Sequence, residues 1–588
     1  MVVIIPAGAG TSGGGVHWGP DRWRFYRLVG REIGRAARSA ILHLSSAPSA
    51  FARLRPTGLV IAPQDLRTSD ATLAGDIYAG LFVFAGRALA TGGRSPFDFT
   101  PPSPEWGEAL YGFGWLRHLS AADSALARSN ARAFVQDYLA GRGDRDIADR
   151  PAVAARRLIS LLSQSPLVLE GADHAFYQAF LKGIGRCVRR LDTALRHGIP
   201  PRQRLAAAVA LTYAGLCCDG FEPVLRRGVR LLSRELTRQI LADGGHRSRD
   251  PAAVQELLLD LLPLRQSFLS RDIAPPDPLL VAIDRMLPFL RLLRHGDASL
   301  GHHNGMGATE ADQLATLLIY DGALARPLMH APHTGYARLE AGRTLLVADI
   351  GPAPPLVYST VAGAGCLSFE LSSGAQRLVV NCGMPASGDE MRQLARTTAA
   401  HSTAVLGTAS SCRFLNPPGP GFAHPIAAWL RHRIGPVILR GPLRVPVERG
   451  SAPDGTAVLA ASHDGYLAGF GLIHERRWRL APAGDLLEGE DAFRRPEREG
   501  RARGAGRPVE AAIRFHLHPS LRVSREGRAV RLQGAGGEAW LFETEATDPV
   551  IEESVFFAAS NGARRTEQIV LHLKVADGTR LAWRFRRA

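Results

Sequence analysis

The sequence predicts an α+β multidomain protein in which helical hairpins are followed by an antiparallel β-sandwich. Apolar residues recur at helical spacing from about residue 105 to 325 and with a period of two after about residue 330. The chain has 588 residues, which is too long for one hydrophobic core. We therefore predict an N-terminal leader and helical extension over 1–104, a helical domain over 105–328 and a sandwich over 329–588.

Two stripes of apolar residues support the helical domain. One predicted helix carries Phe176, Phe180, Ile184, Cys187 and Leu191 on one face. Another carries Leu225, Val229, Leu232, Leu236 and Ile240. The second helix should end at Asp243-Gly244-Gly245, and the next should begin at Asp250-Pro251, with Asp as N-cap and Pro in the first turn. Helix, short turn and helix then repeat, which is typical of antiparallel helical hairpins.

Glycine turns between alternating segments support the sandwich. Residues 336–349 are predicted to form a hairpin near Gly342, and residues 521–532 another near Gly527. Residues 569–575 and 581–585, separated by Asp577-Gly578, are predicted as a third. Residues 361–383 are predicted to form two strands around a Ser-Gly turn. Short strands with turn signals continue to residue 588, as in an antiparallel β-sandwich.

The basic charge is almost entirely arginine. The formal net charge is +16, and the only lysines are Lys182 and Lys574. One interpretation is a basic groove for an acidic polysaccharide, since guanidinium forks bind carboxylate and sulfate. The other is a genome that uses arginine in place of lysine throughout. We predict no nucleic-acid partner, because the arginines are scattered and no groove-reading motif is present.

Other sequence signals argue against membrane, redox and cofactor classes. No apolar run reaches the roughly 18–20 residues of a membrane span. Six cysteines without CxxC spacing predict buried free thiols. Gly8-Ala9-Gly10-Thr11-Ser12-Gly13 matches GxGxxG, but Gly14, Gly15 and Pro20 follow where a dinucleotide site needs a helix, so we predict no cofactor.

Several motifs occur in an order that resembles the heparinase II/III family of polysaccharide lyases. In the second half, three segments resemble "LSFELS", "IVDSG" and "RSTAAHNT" of that family: residues 367–372, 378–383 and 396–403. His463-Asp464-Gly465-Tyr466 and residues 514–519 also resemble its sandwich motifs. Asp243-Gly244-Gly245-His246, with Arg249 and Pro251, resembles its "DGGH…R-P". Together these motifs extend from about residue 240 to 520.

The resemblance implies a fold and a chemistry. Family members have an α/α toroid and a C-terminal sandwich, and they cleave uronate polysaccharides by β-elimination in the cleft between them. The reaction needs a neutraliser for the carboxylate, a Tyr or His base, and an acid for the leaving oxygen. The implied partner is an acidic polysaccharide, and the implied location is the periplasm or cell envelope. The N-terminus lacks a clear signal peptide, so a cytoplasmic location stays open.

The sequence departs from the family at key positions. The family's His-Ala-Asp is Gly363-Ala364-Gly365 here, and the Asp of "IVDSG" is Asn381. Of the positions that supply metal ligands in relatives, only His401 remains, so we predict no metal. The family's catalytic Tyr, in "P-x-Y-H", falls at Ala253, and its neutraliser motif has no clear counterpart near Tyr213 to Asp219.

Candidate replacements come from several segments, and each has a structural alternative. His302, His303 and Asn304 lie on a predicted loop that lines the cleft or merely connects the domains. His246 and Arg249 precede a helix N-terminus, a favourable place for an anion, unless His246 only satisfies nearby backbone groups.

Three further candidates come from elsewhere in the sequence. His401 lines the site or packs within the sandwich, Tyr213 binds substrate or belongs to the helical core, and Arg396 pairs with a carboxylate or is a surface arginine. We therefore predict catalytic roles for His246, His302, His303 and His401. Substrate binding is predicted for Arg249, Asn304, Arg396 and Tyr213.

Two functions follow from these residues. The first is a heparinase II/III-like lyase that cleaves an acidic polysaccharide in the cleft between toroid and sandwich. The alternative is a protein of the same fold that binds acidic glycans but has lost the chemistry. Substitution at Gly363, Asn381 and Ala253 is also compatible with a subgroup that built a different catalytic arrangement.

Overall fold

The computed structural model describes residues 19–44, 51, 54–320, 327–415, 424–496 and 507–588. The GxGxxG motif at residues 8–13 lies outside this part of the chain. Among the described helices, none combines the length and apolar character needed to cross a membrane.

Helices dominate the first half of the chain and strands the second. The helices are α1 Gly19–Leu44, α2 Thr72–Tyr78, α3 Pro104–Gly112, α4 Leu116–Ala122, α5 Ala125–Leu139, α6 Arg145–Ala148, α7 Pro151–Ser163, α8 Ser165–Leu169, α9 His174–Arg196, α10 Pro201–Cys217, α11 Glu222–Gln239, α12 Pro251–Leu269, α13 Asp277–Leu293, α14 Ala311–Ile319, α15 Asp389–Ala395, α16 His424–Ile434 and α17 Leu467–Phe470. The early strands are β1 Gly58–Leu59, β2 Leu81–Phe84, β3 Arg87–Ala90 and β4 Cys218–Asp219. The later strands are β5 His330–Ala331, β6 Tyr336–Ala341, β7 Thr344–Asp349, β8 Phe369–Ser373, β9 Gln376–Val380, β10 Ala404–Leu406, β11 Arg413–Phe414, β12 Ile438–Arg440, β13 Val447–Ser451, β14 Ala457–His463, β15 Ile473–Leu480, β16 Leu486–Arg494, β17 Val509–Leu517, β18 Arg522–Glu526, β19 Ala529–Gln533, β20 Ala539–Glu543, β21 Val550–Phe556, β22 Arg564–Val575 and β23 Thr579–Arg587.

Helix α10 lies at the centre of the helical domain. It packs against α7, α9, α11 and α12, and every residue from Ala207 to Cys217 is buried. Its small residues allow this, because a helix that is apolar on all sides is stable only when neighbours cover it on all sides.

The flanking helices match the predicted pattern except at one end: α11 ends at Gln239, before the predicted stop at Asp243-Gly244-Gly245, because Ile240 is already extended and bridges to His246. The stripe of α9 is buried as expected. Helix α12 begins at Pro251, and the Asp250 side chain accepts a hydrogen bond from the Ala252 N–H.

The N-terminal segment joins the same core. Phe51, Phe82 and Phe97 are buried with the helices of residues 104–293. Strand β1 pairs with β4, which directly follows α10. The predicted domain boundaries stay a prediction, but the packing of Phe51 and of residues 54–97 is continuous with that of the helical domain.

Two antiparallel sheets form the second half. One has nine strands in the order β21-β22-β17-β9-β8-β7-β6-β5, with β10 also on β17. The other has eight strands in the order β13-β14-β15-β16-β23-β20-β19-β18. Residues from both sheets share one core that includes Phe369, Trp478, Phe515 and Trp583. The predicted antiparallel sandwich is therefore confirmed.

Two of the predicted hairpins are confirmed. Strands β6 and β7 pair around Gly342, and β18 and β19 pair around Gly527. Both glycines have positive φ, 54° and 62° respectively, a conformation that glycine adopts without a Cβ clash. Strands β8 and β9 also pair around Gly374, as residues 361–383 predicted.

The third predicted hairpin is wrong. Strand β22 pairs with β17 and β21 in the nine-stranded sheet, whereas β23 lies between β16 and β20 in the other. The turn at Asp577-Gly578 therefore carries the chain from one sheet to the other. Alternate residues of both strands, such as Leu571 and Trp583, face the shared core from opposite sides.

Strand β7 serves two cores at once. Leu345 and Val347 pack with the helices, whereas Leu346 and Ala348 pack inside the sandwich. Side chains alternate between the faces of a strand, so one strand can be buried on both sides. The outer face of the nine-stranded sheet is thus the surface on which the helical domain sits.

Candidate functional site

The helical domain and the sandwich meet at a buried polar cluster, here called the junction: Arg249, His302, His303, Asn304, Tyr336, Asp349 and Glu370. The Asn304 side-chain amide donates to the Tyr336 hydroxyl and to Asp349, both at 2.8 Å. The Tyr336 hydroxyl donates to the carbonyl of Arg249 at 2.6 Å. Asn304 has a φ of 47°, a left-handed conformation that asparagine tolerates better than most residues.

Arg249 fastens the two domains together. Its guanidinium pairs with Asp349 and donates to the carbonyls of Thr334, Gly335 and Gly351 at 2.6, 3.0 and 3.1 Å. A further bond reaches the Pro352 carbonyl at 2.9 Å. These contacts use the side chain's donors within the protein, so Arg249 has none left for a substrate carboxylate.

One of the two loop histidines contacts a buried glutamate, and the other contacts an asparagine. Glu370 accepts from the His302 backbone N–H at 3.1 Å and contacts His302 Nδ1 at 3.2 Å. Burial alone would raise the pKa of Glu370, but Arg377 and the histidines hold it well below its usual range. His303 contacts the Asn381 amide at 3.3 Å, and burial lowers the pKa of His303 to about 4. The loop is therefore part of the protein core rather than a solvated connector.

His246 is fully engaged at the foot of α12. Its Nδ1 lies 2.7 Å from the Ser248 hydroxyl, and its Nε2 lies 3.1 Å from the Gln239 side-chain oxygen. Burial, with Arg202 and Arg247 nearby, lowers its pKa to about 3. His246 is thus neutral and satisfied, in line with the structural alternative considered for it above.

Tyr213 and Arg396 lie away from the junction network. The Tyr213 hydroxyl donates to the Asp260 carbonyl at 2.6 Å within the helical core. Arg396 is only 1% exposed, and its guanidinium donates to the carbonyls of Ala362 and Ser359, both at 2.8 Å. Neither side chain presents its polar atoms to a cleft.

The positions at which the family resemblance implies metal ligands do not fit a metal here. A Cβ at Gly363 or Gly365 would lie 2.7 or 2.5 Å from the His401 ring, so His401 occupies the space of the missing side chains. His401 Nδ1 donates to the Thr397 carbonyl at 2.7 Å, and Asn381 Oδ1 accepts from the Ser402 N–H at 2.9 Å. Within the described residues, no cluster of three or more His, Cys, Asp or Glu could hold a metal ion.

The junction brings together residue types that β-elimination uses, but in an unsuitable state. Asn304, His303 and Tyr336 are adjacent, with the His303 and Tyr336 rings 5.5 Å apart. A tyrosine base must lose its proton, whereas burial and the nearby Asp349 raise the pKa of Tyr336 far above its ordinary value. Tyr336 is also 0% exposed and His303 1%, so a polysaccharide cannot reach them in this arrangement.

Ala253 stands where the family resemblance implies a catalytic tyrosine. It lies in the first turn of α12 and is 2% exposed. A methyl group cannot transfer a proton, and a phenol at this buried position would overpack the core around it.

An open cavity in the helical domain was not predicted from the sequence. It has a volume of about 560 Å³ and lies between strand β2 and helices α2, α3, α4 and α7. Three arginines line it: Arg67, Arg117 and Arg156. They are far apart in the sequence, and no spacing or motif connects them.

The sequence comparisons place this geometry among known proteins. A family model described as heparinase II/III-like, C-terminal, matches residues 323–584. FtsZ-localized protein C of Caulobacter vibrioides (strain NA1000 / CB15N) is 30% identical over 544 residues, 91% of each chain.

Solved structures share the fold at low identity. A structure of heparinase III is 12% identical and covers 97% of this chain and 91% of its own, with a TM-score of 0.66. A heparan sulfate lyase from Pedobacter heparinus, solved as a mutant, is 14% identical and covers 96% and 88%, with a TM-score of 0.58. The predicted arrangement of toroid and sandwich is confirmed by these likenesses, and the chain belongs to the heparinase II/III family.

Proposed function

We propose that this protein binds an acidic glycan without cleaving it. The observation that carries the proposal is the state of the junction, where every candidate for base or neutraliser is buried and makes at least one hydrogen bond within the protein. Lyase chemistry needs a group that can take a proton from a substrate carbon, and position 253 offers only a methyl group.

The acidic character of the ligand rests on two supports. The family is one of lyase-like proteins, and solved relatives are titled heparinase III and heparan sulfate lyase. The net charge of +16 favours association with polyanions. The arginine-for-lysine interpretation explains the residue type, but it does not by itself explain the excess of positive charge.

One pair of measurements tests the proposal. The purified protein is incubated with heparin, heparan sulfate, alginate, hyaluronan and bacterial acidic exopolysaccharides, and the ultraviolet absorbance of unsaturated uronate is followed. We expect no rise in absorbance. Columns carrying the same glycans should retain the protein and release it with salt, while a neutral dextran column should not retain it.

Either of two results would contradict the proposal. A rise in absorbance would show that the protein is a lyase that cleaves an acidic polysaccharide. Passage of the protein through every acidic column at low salt would show that it does not bind an acidic glycan.

A second candidate function follows from the full-length relative. That protein is named for its localisation with FtsZ, and the likeness extends over 91% of both chains. An identity of 30% over this length supports a shared cellular role more strongly than the 12–14% identity to the solved lyases. The second candidate is thus a protein that gathers where FtsZ assembles.

Microscopy tests this candidate. A fluorescent fusion of the chain, expressed in the cell that makes it, should form bands that coincide with FtsZ and disperse when FtsZ is depleted. Bands that persist after depletion, or a uniform signal, would reject the candidate. Cell fractionation in the same strain tests the location in the periplasm or cell envelope that the family resemblance implies.

A further inference from the structure

A second, smaller cavity in the helical domain brings one cysteine together with several arginines. It has a volume of about 40 Å³ and lies between helices α5, α6, α7 and α9. Cys187 of α9 lines this cavity with the buried Arg157 of α7, and three exposed arginines line it as well: Arg145, Arg186 and Arg190. None of its lining residues belongs to the junction or to the larger cavity of the same domain.

Arg157 is a buried cation without a carboxylate partner. It is 1% exposed, and arginine is rarely buried to this degree unless an anion pairs with it. Its Nη1 donates to the carbonyls of Tyr111 at 3.1 Å and Ala148 at 2.9 Å, which orient the side chain but carry no net charge. Asp149 forms its ion pair with Arg190 instead. Within the described residues, Arg157 has no carboxylate at ion-pair distance, and its Nε has no hydrogen-bond partner.

The Cys187 thiol is the side chain of this cavity that can supply the missing negative charge. Burial alone would lower the pKa of Arg157, but Cys187, which accepts a hydrogen bond from it, and Tyr138 together raise that pKa. The Tyr138 ring lies 4.8 Å from the guanidinium carbon. Burial raises the pKa of the Tyr138 phenol, so this group stays neutral near pH 7. A negatively charged group on the sulfur of Cys187 is thus the one that would neutralise Arg157.

The other cysteines lie in surroundings that keep them in the thiol form. Burial raises the pKa of the thiol at each of five positions: Cys217, Cys218, Cys366, Cys382 and Cys412. At Cys218, Cys382 and Cys412 this pKa reaches about 12. Thiolates rather than thiols attack oxidants, so we expect these five side chains to be inert in the folded protein.

The size of the cavity restricts which oxidant can reach the sulfur. One water molecule needs roughly 10–15 Å³ of such space, so a cavity of about 40 Å³ admits a reactant of only a few non-hydrogen atoms. Hydrogen peroxide has two. Reagents the size of glutathione or a maleimide are too large to enter, and Cys187 is only 5% exposed.

We propose that Cys187 is a site of oxidation by hydrogen peroxide, and that Arg157 is the counter-ion of the oxidised sulfur. The thiol releases its proton to solvent, and the sulfur attacks one oxygen of the peroxide. An S–O bond forms as the O–O bond breaks, and the two electrons lost by the sulfur reduce the peroxide. The departing hydroxide takes the proton of the bound oxygen, so the products are a sulfenate and water.

The product fits the cavity electrostatically. The sulfenate oxygen is negative and lies next to Arg157, whose Nε has no partner among the described residues and can donate to it. Hydrogen bonds between a guanidinium and an anion are among the stronger ones in proteins. This inference is independent of glycan binding, because it concerns a different part of the helical domain and a different chemistry.

Site-resolved trapping on the full chain tests the proposal. The folded protein receives an equimolar dose of hydrogen peroxide, catalase stops the reaction after set times, and urea with dimedone then traps every sulfenate. Peptide mass spectrometry reports the trapped fraction at each of the six cysteines. The reference is the same chain unfolded in urea before the peroxide is added, because Arg157 no longer lies beside the sulfur there.

We expect Cys187 of the folded protein to be trapped at least tenfold faster than Cys382 or Cys412, and at least tenfold faster than Cys187 of the unfolded chain. A rate at Cys187 that is no higher in the folded than in the unfolded chain would overturn the proposal. So would equal trapping at all six cysteines of the folded protein.

Two substitutions test the role of Arg157. Arg157→Met removes the cation and should slow trapping at Cys187 at least tenfold, whereas Arg157→Lys keeps a cation and should slow it less. Arg528→Gln, at an exposed sandwich arginine, is the control and should leave the rate unchanged. Equal rates in the parent and Arg157→Met would reject Arg157 as counter-ion. If Arg157→Met fails to fold, the comparison of folded and unfolded parent still decides.

A maleimide distinguishes a selective site from a thiol that is merely accessible. The folded parent should react with peroxide at Cys187 but resist N-ethylmaleimide there for as long as it stays folded. Rapid maleimide labelling of Cys187 in the folded protein would mean that the sulfur is open to solvent, and the selection by cavity size would be wrong.

Discussion

At the scale of single residues, two glycines stand where the family resemblance implies metal ligands. Gly363 and Gly365 lie against the His401 ring, which is 5% exposed and held by the Thr397 carbonyl. Side chains at these positions and the present position of His401 exclude one another. The substitutions are therefore coupled to a rearranged imidazole, and restoring one ligand alone would not rebuild a metal site.

Gly365→Ala should destabilise the protein by about 1–3 kcal/mol, because the new Cβ would lie 2.5 Å from the His401 ring and the core would have to shift. Thermal unfolding followed by circular dichroism measures the effect. Gly536→Ala is the matched control, since no atom lies within 4 Å of its added Cβ. Identical melting temperatures for the two variants would mean that His401 has room to move.

The buried histidines predict loss of stability in acid. The pKa of His246 is about 3 in the folded protein against 6.5 for the ordinary side chain, so the unfolded state binds the extra proton. The stabilisation is complete above about pH 6.5 and is lost as the pH falls toward about 3. The slope from this one group reaches about 1.4 kcal/mol per pH unit.

Urea unfolding across pH measures this contribution. Between pH 6 and 4, His246→Gln should lose stability less steeply than the parent by up to that slope. Above pH 7.5 the two curves should run parallel, because the imidazole is neutral in both states there. Parallel curves through the acid range would show that His246 becomes protonated without unfolding.

At the scale of elements, α12 depends on its first turn. The Asp250 side chain accepts from the Ala252 N–H at 2.9 Å and lies 3.4 Å from Arg202. Asp250→Ala should cost about 1 kcal/mol through loss of the cap, whereas Asp250→Asn keeps an acceptor and should cost less. Urea unfolding at pH 7 distinguishes them. Equal losses would assign the effect to the charge pair with Arg202 instead.

Elements whose partners are local were predictable from the sequence. The turns at Gly342 and Gly527 join strands that pair with each other, and Asp250-Pro251 carries its own start signal. The sequence at Asp577-Gly578 has the same turn signal between two strands, but β22 and β23 pair with strands from other parts of the chain instead of with each other. A local pattern predicts a strand, whereas the sheet it joins depends on contacts that a local pattern does not contain.

In the candidate site, too, local sequence identified some of the residues, whereas their surroundings depend on long-range contacts. The sequence predicted Asn304 and His303 as site residues because a loop after the last helix of the helical domain supplies imidazoles and an amide, and both residues do lie at the junction. Their burial depends on Tyr336 and Asp349 of the sandwich closing over them, and no local pattern records that packing. The arginines of the cavity come from separate segments, so only the assembled fold brings them together.

At the scale of the whole molecule, the two domains should unfold as one unit. Tyr336, Leu345 and Val347 of the sandwich pack in the core of the helical domain. In addition, Arg249 of the helical domain pairs with Asp349 of the sandwich. Differential scanning calorimetry should therefore show a single transition. Two separate transitions in the parent would mean that the shared core contributes little to cooperativity.

Arg249→Ala should lower the stability by roughly 3–5 kcal/mol, because it leaves Asp349 charged and buried without its cation. We expect the single transition to broaden or divide, since the substitution loosens the contact between the domains. Arg528→Ala, at an exposed pair with Asp548, should change stability by less than about 0.5 kcal/mol. A broadened transition in the control would point to a general effect of lost charge.

The crossing at Gly578 also sets an order of events during synthesis on the ribosome. Strand β23 occupies the middle of the eight-stranded sheet, between β16 and β20, so the earlier strands β13–β16 cannot acquire that neighbour until residues 579–587 have emerged. Until then β16 presents an open edge, and open edges recruit other chains. The nascent sandwich is accordingly the stage at which we expect this protein to depend on chaperones.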